Sequence, residues 1–349
     1  MKTISRFLRK AFAFIPAALA CPQLVPAQPT VVDASYSIQT FYTHTNADNI
    51  ISYDWDASAN LHYMTSSGFP NLNVWRKGSG ALENIYAAPN NFVGASLVSI
   101  GDTIYFNDSD FASQFIRGYV AAATIPAVPV LSTTPNYGLY GRNGNLFITG
   151  ADSFGPNQIY FSNLAANGDL LDDPAINLGV TSAGSSGPLT FDLEGNLYYA
   201  PGFGDLSIYK FAAAEVNAAL ADPAANPLTG SGNLWLDYTT LYPNVSGATS
   251  LLFDAGGKLL VTLTSFTNPS ALAAFGTSPA GAYNGINTTI LTSMGTLGEL
   301  RSLNGNPFIS TGNEIVQIVP EPASFVMIGL AAVLFVNYRR VRSSFLIKF

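Results

Sequence analysis

Cysteine is nearly missing from this 349-residue chain, which has one, and histidine is scarce, at two. One cysteine excludes a disulfide framework, and with two histidines it leaves too few ligands for a zinc centre. Charge is thin as well: 11% of residues are charged, against 48% hydrophobic. Disordered polar chains show the opposite balance, with high charge and few aromatics. Lys and Arg cluster only at the two chain ends, so the body does not read as a nucleic-acid binder.

The formal charge of −7 hides an uneven layout. Residues 1–27 hold Lys2, Arg6, Arg9 and Lys10 and no acid. Residues 323–349 hold Arg339, Arg340, Arg342 and Lys348 and no acid. The segment between them carries 7 basic residues and all 22 acids, a balance of −15. An acidic body thus lies between two cationic, apolar ends, and each end needs its own explanation. That charge keeps an exported protein dispersed.

The N-terminus reads as a secretory signal peptide over residues 1–27. Its four cations precede the apolar run Ala11–Ala20, about the length of an h-region. Ala27 suits signal peptidase, with Ala20 as a rival site. Pro16 interrupts the run, which argues against a buried first helix. Ala18-Leu-Ala-Cys21 is a weak lipoprotein box, lacking the preferred aliphatic residue three before the cysteine. Cleavage at Ala27 removes Cys21 and leaves a body without cysteine.

At the C-terminus, Val319-Pro320-Glu321-Pro322 is followed by an uncharged stretch, Ala323–Val336, and then by Arg339, Arg340 and Arg342. The prolines end the preceding strand and hold an extended peptide. Fourteen residues at ~1.5 Å rise span about 21 Å, short of the ~30 Å hydrocarbon core. The arginines hold the tail end on the cytoplasmic side. Such a segment pauses in a membrane but makes a thin permanent anchor.

This arrangement resembles the PEP-CTERM sorting signal of Gram-negative bacteria, over roughly Val319 to Arg342. The resemblance implies recognition by exosortase, a membrane transpeptidase-like enzyme that removes the tail. It also implies export to the cell surface or extracellular matrix, often in bacteria that make exopolysaccharide. The domain layout it suggests is a signal peptide (1–27), a body (28–319), a sorting signal with a transmembrane helix (320–342) and a cytoplasmic tail (343–349). That tail, Ser343 to Phe349, is longer than usual for the pattern.

Within the body, one pattern recurs six times: an apolar strand, a polar turn with Gly or Asn, then an aromatic or aliphatic strand. The copies are Ile51–Tyr63, Ser96–Phe106, Tyr137–Ile148, Pro188–Tyr199, Ser250–Val261 and Glu299–Ile309. Asn143-Gly144, Glu194-Gly195, Gly256-Gly257 and Asn304-Gly305 sit at the turns, where glycine accepts positive φ. The aligned residues Leu61, Ile104, Leu146, Leu197, Leu259 and Pro307 are 43, 42, 51, 62 and 48 apart. Hairpins at such a period predict an all-β six-bladed β-propeller. A β-sandwich or β-helix also uses hairpins, but a sandwich gives no reason for six copies at this spacing.

The last copy has room for three strands, about 299–303, 307–311 and 314–319. A lone strand, Val31–Tyr42, precedes the first copy. Open sheet edges are a liability, so the N-terminal strand is expected to complete the last blade. Ala-rich residues 212–225 predict a short helix outside the ring, and 268–287 a second inserted loop.

Phe191–Tyr198 and Phe253–Leu259 resemble the repeat of the NHL, strictosidine-synthase and gluconolactonase type of propeller. That resemblance implies a fold. The lactonase members hold calcium on acids and asparagines in the central channel, but no single ligand aligns here and none is carried over.

Catalytic motifs are sparse. There is no Gly-x-Ser-x-Gly elbow and no cysteine nucleophile in the body. His44 and His62 read as structural. Asp54, Asp192 and Asp254 precede hairpin turns and read as turn caps. Asp108, Asp110, Asp169, Asp172 and Asp173 are denser and are the weak candidates for Ca²⁺, though neither group has EF-hand spacing. Tyr53, Trp55, Tyr63, Trp75, Tyr105, Tyr140, Tyr198, Tyr199, Trp235 and Tyr238 either stack on sugar rings or pack between blades.

The expectation is a non-enzymatic, exported surface or matrix protein, with no cofactor beyond that weak Ca²⁺ option. Its partners are signal peptidase and exosortase during processing, the membrane transiently, and exopolysaccharide or other surface glycans. No nucleic acid is expected. The alternative is a calcium-dependent lactonase-like or glycan-active hydrolase on the same scaffold.

Overall fold

The structure, a computed structural model, describes residues 28–321 except 47, 67–71, 89–95, 110–113, 123–127, 133–135, 152–155, 166–169, 171–174, 184–186 and 296. Residues 1–27, expected as a signal peptide, and Pro322, the apolar tail and Arg339, Arg340 and Arg342 lie outside the described residues. Among the described residues, no helix is long and apolar enough to cross a membrane.

Two strands, β1 (Thr30–Val31) and β2 (Tyr36–Thr43), open the chain and join sheets formed much later. The first blade is β3 (Asn49–Trp55), β4 (Leu61–Ser66), β5 (Leu72–Lys77) and β6 (Leu82–Ala88). The second is β7 (Leu97–Ile100), β8 (Thr103–Ser109), β9 (Gln114–Val120) and β10 (Val128–Ser132). The third is β11 (Asn136–Arg142), β12 (Asn145–Ala151), β13 (Pro156–Asn163) and β14 (Ile176–Ala183). The fourth is β15 (Leu189–Phe191), β16 (Leu197–Tyr199), β17 (Ser207–Phe211) and β19 (Leu234–Asp237). Helix α1 (Ala213–Ala221) and β18 (Leu228–Thr229) interrupt it, and β18 adds a parallel edge to the third blade. The fifth is β20 (Gly247–Phe253), β21 (Leu259–Thr264), β22 (Ser270–Thr277) and β23 (Tyr283–Ser293), edged by β1. The sixth is β24 (Leu297–Leu303), β25 (Asn306–Thr311) and β26 (Glu314–Pro320), completed by β2.

The first strands of successive blades touch in the order β3, β7, β11, β15, β20, β24 and back to β3, which closes the ring. This is the expected six-bladed propeller, sealed by the N-terminal strand: Tyr36 pairs with Pro320, and Thr43 with Glu314. The lone strand expected over Val31–Tyr42 is in fact two. Asp33 Oδ1 accepts from the backbone N–H and the hydroxyl of Ser35, and this turn breaks the strand. β1 therefore stays on blade five while β2 crosses to blade six. The loop expected over 268–287 is also corrected. It forms β22 and the start of β23, because Ser270–Phe275 is buried on both faces and packs as an inner-blade strand.

Each sheet is apolar on both faces, and the buried residues form one cluster per seam. Tyr198, Leu251 and Phe275 pack between blades four and five. Trp55, Tyr63, Phe308 and Ile315 pack between blades six and one, beside the half-exposed Phe41. Truncating one such aromatic to alanine costs about 3–5 kcal/mol. Tyr53, Tyr63, Tyr105, Tyr198, Tyr199 and Tyr238 are all fully buried, so these tyrosines serve packing.

The turns follow the sequence closely. Asn143 and Gly144 have φ of 50° and 76°, and Asn304 and Gly305 have 52° and 79°, the left-handed pairs of tight hairpins. Asp192 Oδ1 accepts from Asn196 N, and Asp254 Oδ1 from Gly256 N and Lys258 N, as turn caps. In blade one the cap is Asp56, which accepts from Ser58 N and Asn60 N. Asp54, read as the cap, is engaged elsewhere.

Glycine is required at Gly247, where a Cβ would run into the Gly202 carbonyl. Gly247→Ala is expected to destabilise by about 1–3 kcal/mol through overpacking. A thermal midpoint equal to that of the unchanged chain would contradict this.

Candidate functional site

Aligning the blades by their strand pairs places six residues at one level of the central channel. They precede Tyr53, Leu97, Leu139, Leu189, Leu251 and Leu300, which pair respectively with Tyr63, Phe106, Ile148, Tyr199, Val261 and Ile309. The six are Ser52, Ser96, Gly138, Pro188, Ser250 and Glu299. Five are small or cyclic and one is a long acid. In blades one, three, five and six the strand register shifts at this level. Bulges of this kind re-aim side chains. Backbone N–H groups at this level are taken by second-strand side chains: Gly138 by Thr149 and Glu299 by Ser310 at bulges, and Ser96 by Asn107 where the second blade begins.

Glu299 is the centre of the arrangement. Its Oε1 accepts from Ser250 Oγ at 3.2 Å and its Oε2 from Ser52 Oγ at 3.1 Å. Each serine also accepts a neighbour's N–H, Ser52 from Leu97 and Ser250 from Leu300. One carboxylate therefore joins blade six to blades five and one. Arg301, two residues along β24, lies 3.5 Å from Glu299 Oε1. Its Nε donates to the Tyr53 carbonyl at 3.2 Å and its Nη2 to the Leu97 carbonyl at 2.6 Å. Asp54 completes the group, accepting from Ser99 N and Trp55 N.

Burial pushes the Glu299 and Asp54 carboxyls above the usual range, while Arg301 and the hydrogen bonds pull them partly back. Burial works against the Arg301 charge, but Glu299 and Asp54 outweigh it and hold the guanidinium protonated. The two acids share one cation, so the channel concentrates negative charge in a poorly solvated place.

Beside Glu299 lies a cavity of about 80 Å³, lined also by Ser96, Gly138, Pro188, Thr249 and Phe203. Drug-sized ligands occupy pockets of roughly 300–1,000 Å³. This space suits a few waters or one hydroxyl-sized group, not a whole sugar ring. Phe203 stands in the loop after β16, where the backbone of Gly202 wedges between Gly187 and Gly247. Phe203 stacks on Phe266, from the turn after β21, at 5.1 Å between centroids and 27° between planes. Phe266 is 74% exposed.

The other described sequence candidates are engaged with partners of their own. Asp108 is paired with Arg117 and accepts from Tyr86 Oη at 2.8 Å. Asp110, Asp169, Asp172 and Asp173 lie outside the described residues. Among the described residues, no three His, Cys, Asp or Glu side chains gather as a metal would need. His62 is buried between Tyr119 Oη at 2.7 Å and Asp56 at 3.1 Å, and His44 is bonded to Tyr63 Oη at 2.9 Å. Burial lowers both histidines. Val319 and Pro320 end β26, and the exposed Glu321 donates its backbone N–H to the Ser35 carbonyl at 2.7 Å.

Glu299 and Arg301 were not singled out from the sequence. The signal was present: in the column before the inner-strand apolar residue, the sixth copy alone carries a charge. Phe203 and Phe266 lie between the repeat copies, where no periodicity marks them.

No protein-family model matches this chain, and no curated protein matches it. Solved structures do. A Trichoderma reesei carbohydrate-active enzyme of family AA12 superposes with a TM-score of 0.58 at 14% identity, covering 85% of this chain and 98% of that one. Regucalcin from Agrobacterium tumefaciens, a calcium-binding protein, gives 0.53 at 11%, covering 81% and 96%. Virginiamycin B lyase from Staphylococcus aureus gives 0.50 at 10%, covering 81% and 99%. At these identities the likeness is one of fold.

The raised acids have a consequence for stability. A carboxyl with a higher pKa folded than unfolded binds more protons in the native state. Its contribution is present at acid pH and is lost as the pH rises from about 4 through the raised value. The buried histidines act with the opposite sign and weaken the fold as the pH falls below about 6.5. Glu299→Gln should therefore flatten the decline of the thermal midpoint above pH ~4, leaving the histidine-dependent acid limb. A variant whose midpoint tracks the unchanged chain across that range would contradict the assignment.

Proposed function

We propose that this chain is an exported bacterial surface or matrix protein whose propeller is a binding or structural scaffold, sorted by its C-terminal signal. One observation carries the reading. Pro320-Glu321-Pro322, the apolar stretch and the arginine cluster follow directly from the last strand of the ring. In this reading signal peptidase removes residues 1–27, the tail enters the membrane transiently, and exosortase acts at the Pro-Glu-Pro motif. Pro320 and Glu321 are exposed at the ring edge, where a processing enzyme can reach them. Their strand also closes the ring, so the motif follows directly on the completed blade.

Replacing Pro320, Glu321 and Pro322 by alanine should leave a heavier, membrane-retained species in the native bacterium. Processing to the normal mass and normal release would overturn the sorting reading.

The alternative is a calcium-dependent lactonase-like or glycan-active hydrolase. The charge pattern weighs against it. Arg301 supplies beside Glu299 the positive charge that a calcium ion would otherwise bring, and Asp108 is held by Arg117. A ligand at about a hundred times its dissociation constant stabilises a fold by about 2.7 kcal/mol. Calcium at millimolar concentration is therefore expected to leave the thermal midpoint unchanged. A rise of several degrees would favour the hydrolase.

A further inference from the structure

We infer that the Phe203–Phe266 pair at the channel mouth is a stacking platform for a ring of an uncharged glycan. The inference deepens the binding reading above and is independent of the sorting signal.

Three observations lead to it. First, the pair is large, apolar and turned to solvent: Phe266 is 74% exposed although it stacks on Phe203 at 5.1 Å. Buried partners absorb most other aromatics of the fold, as with Tyr198 against Trp235 and Phe253. Second, the platform is held in place. Gly202 and Gly204, at φ of 84° and 97°, carry the Phe203 loop over the inner strands, and Phe203 bridges to Gly247. The Phe266 turn is tied by Ser265, whose Oγ accepts from Asn268 N at 3.0 Å and whose N–H donates to Ser270 Oγ at 3.2 Å. A platform fixed before binding loses little conformational freedom on binding.

Third, the surroundings define the ligand. In the loops 200–206, 238–246 and 265–269, Asp205 is the only charged residue, and the rest of their polar groups are hydroxyls, amides and backbone. The cavity under Phe203 adds Glu299. With acids and no cation, these loops give a uronate, sulfate or phosphate nothing to pair with. A neutral sugar fits instead. Its apolar C–H face lies on the negative π face of the ring, and its hydroxyls meet the amides, hydroxyls and Asp205. The cavity of about 80 Å³ is too small for the ring itself. The sugar therefore lies across the mouth and sends at most one hydroxyl-bearing substituent inward.

The test is calorimetric titration of the full chain in detergent with cellohexaose and maltohexaose, with hexagalacturonate as the charged counterpart. At least one neutral hexaose should bind saturably and hexagalacturonate should not. Phe266→Ala should weaken that binding about tenfold, the worth of one stacked ring, and Phe266→Trp should restore it. Phe266 is exposed, so both variants should keep the thermal midpoint. Binding of neither neutral hexaose at millimolar concentration would overturn the inference. So would unchanged affinity in Phe266→Ala, or tighter binding of hexagalacturonate. Normal tail processing in the Pro-Glu-Pro variant with intact hexaose binding would count against the sorting reading alone.

Discussion

Closure of the ring is the constraint on which the rest depends. A sheet of four strands with two apolar faces is unstable by itself, and each blade hides its faces only against two neighbours. Five seams form between blades contiguous in sequence. The sixth joins blade six to blade one, and blade six is itself completed by the N-terminal β2, with Tyr36 meeting Pro320. Glu299 and Arg301 sit at that seam. The glutamate accepts from serines on both flanking blades, and the arginine reaches carbonyls on blades one and two. Polar groups that would be costly to bury alone are satisfied here by one another, which favours a single register of closure.

The same seam explains what the sequence could and could not show. Blade number, turn positions and the completion of the last sheet by the N-terminal strand were legible, because hairpin chemistry and apolar alternation are local. The break at Asp33–Ser35 was not, since it depends on which neighbouring sheet offers an edge. Residues 268–287 looked like a loop because their prolines, asparagines and glycines gather at 268–269 and 276–287, around the turn between β22 and β23 and the exposed start of β23. Asp54 and Asp56 are two residues apart, and only the register of the pair β3–β4 decides which caps the turn and which crosses to Ser99. The channel group was hidden for a similar reason. Glu299 matters through residues some 50 and nearly 250 positions away.

The two faces of the ring carry different chemistry. On the hairpin-turn side, acids and glycines reverse the chain and are used up in doing so. On the other side, the inner strands begin in bulges, glycines let loops approach closely, and aromatic rings remain turned to solvent. This division is characteristic of scaffolds that keep a rigid ring and vary one loop surface. The acidic balance of the body acts over the whole molecule, while the loops at the mouth carry little charge of their own.

β26 has one further property. It is held on both sides, by β25 over Glu314–Gln317 and by β2 as far as Pro320. Antiparallel ladder bonds lie perpendicular to the strand. A pull on the residues that follow therefore loads the ladders on both flanks together, in shear, instead of opening them one bond at a time. A ring that merely ended in its last strand would peel from the edge. This one resists a tether at its C-terminus as a clamped tongue does, and its weakest direction under load lies elsewhere.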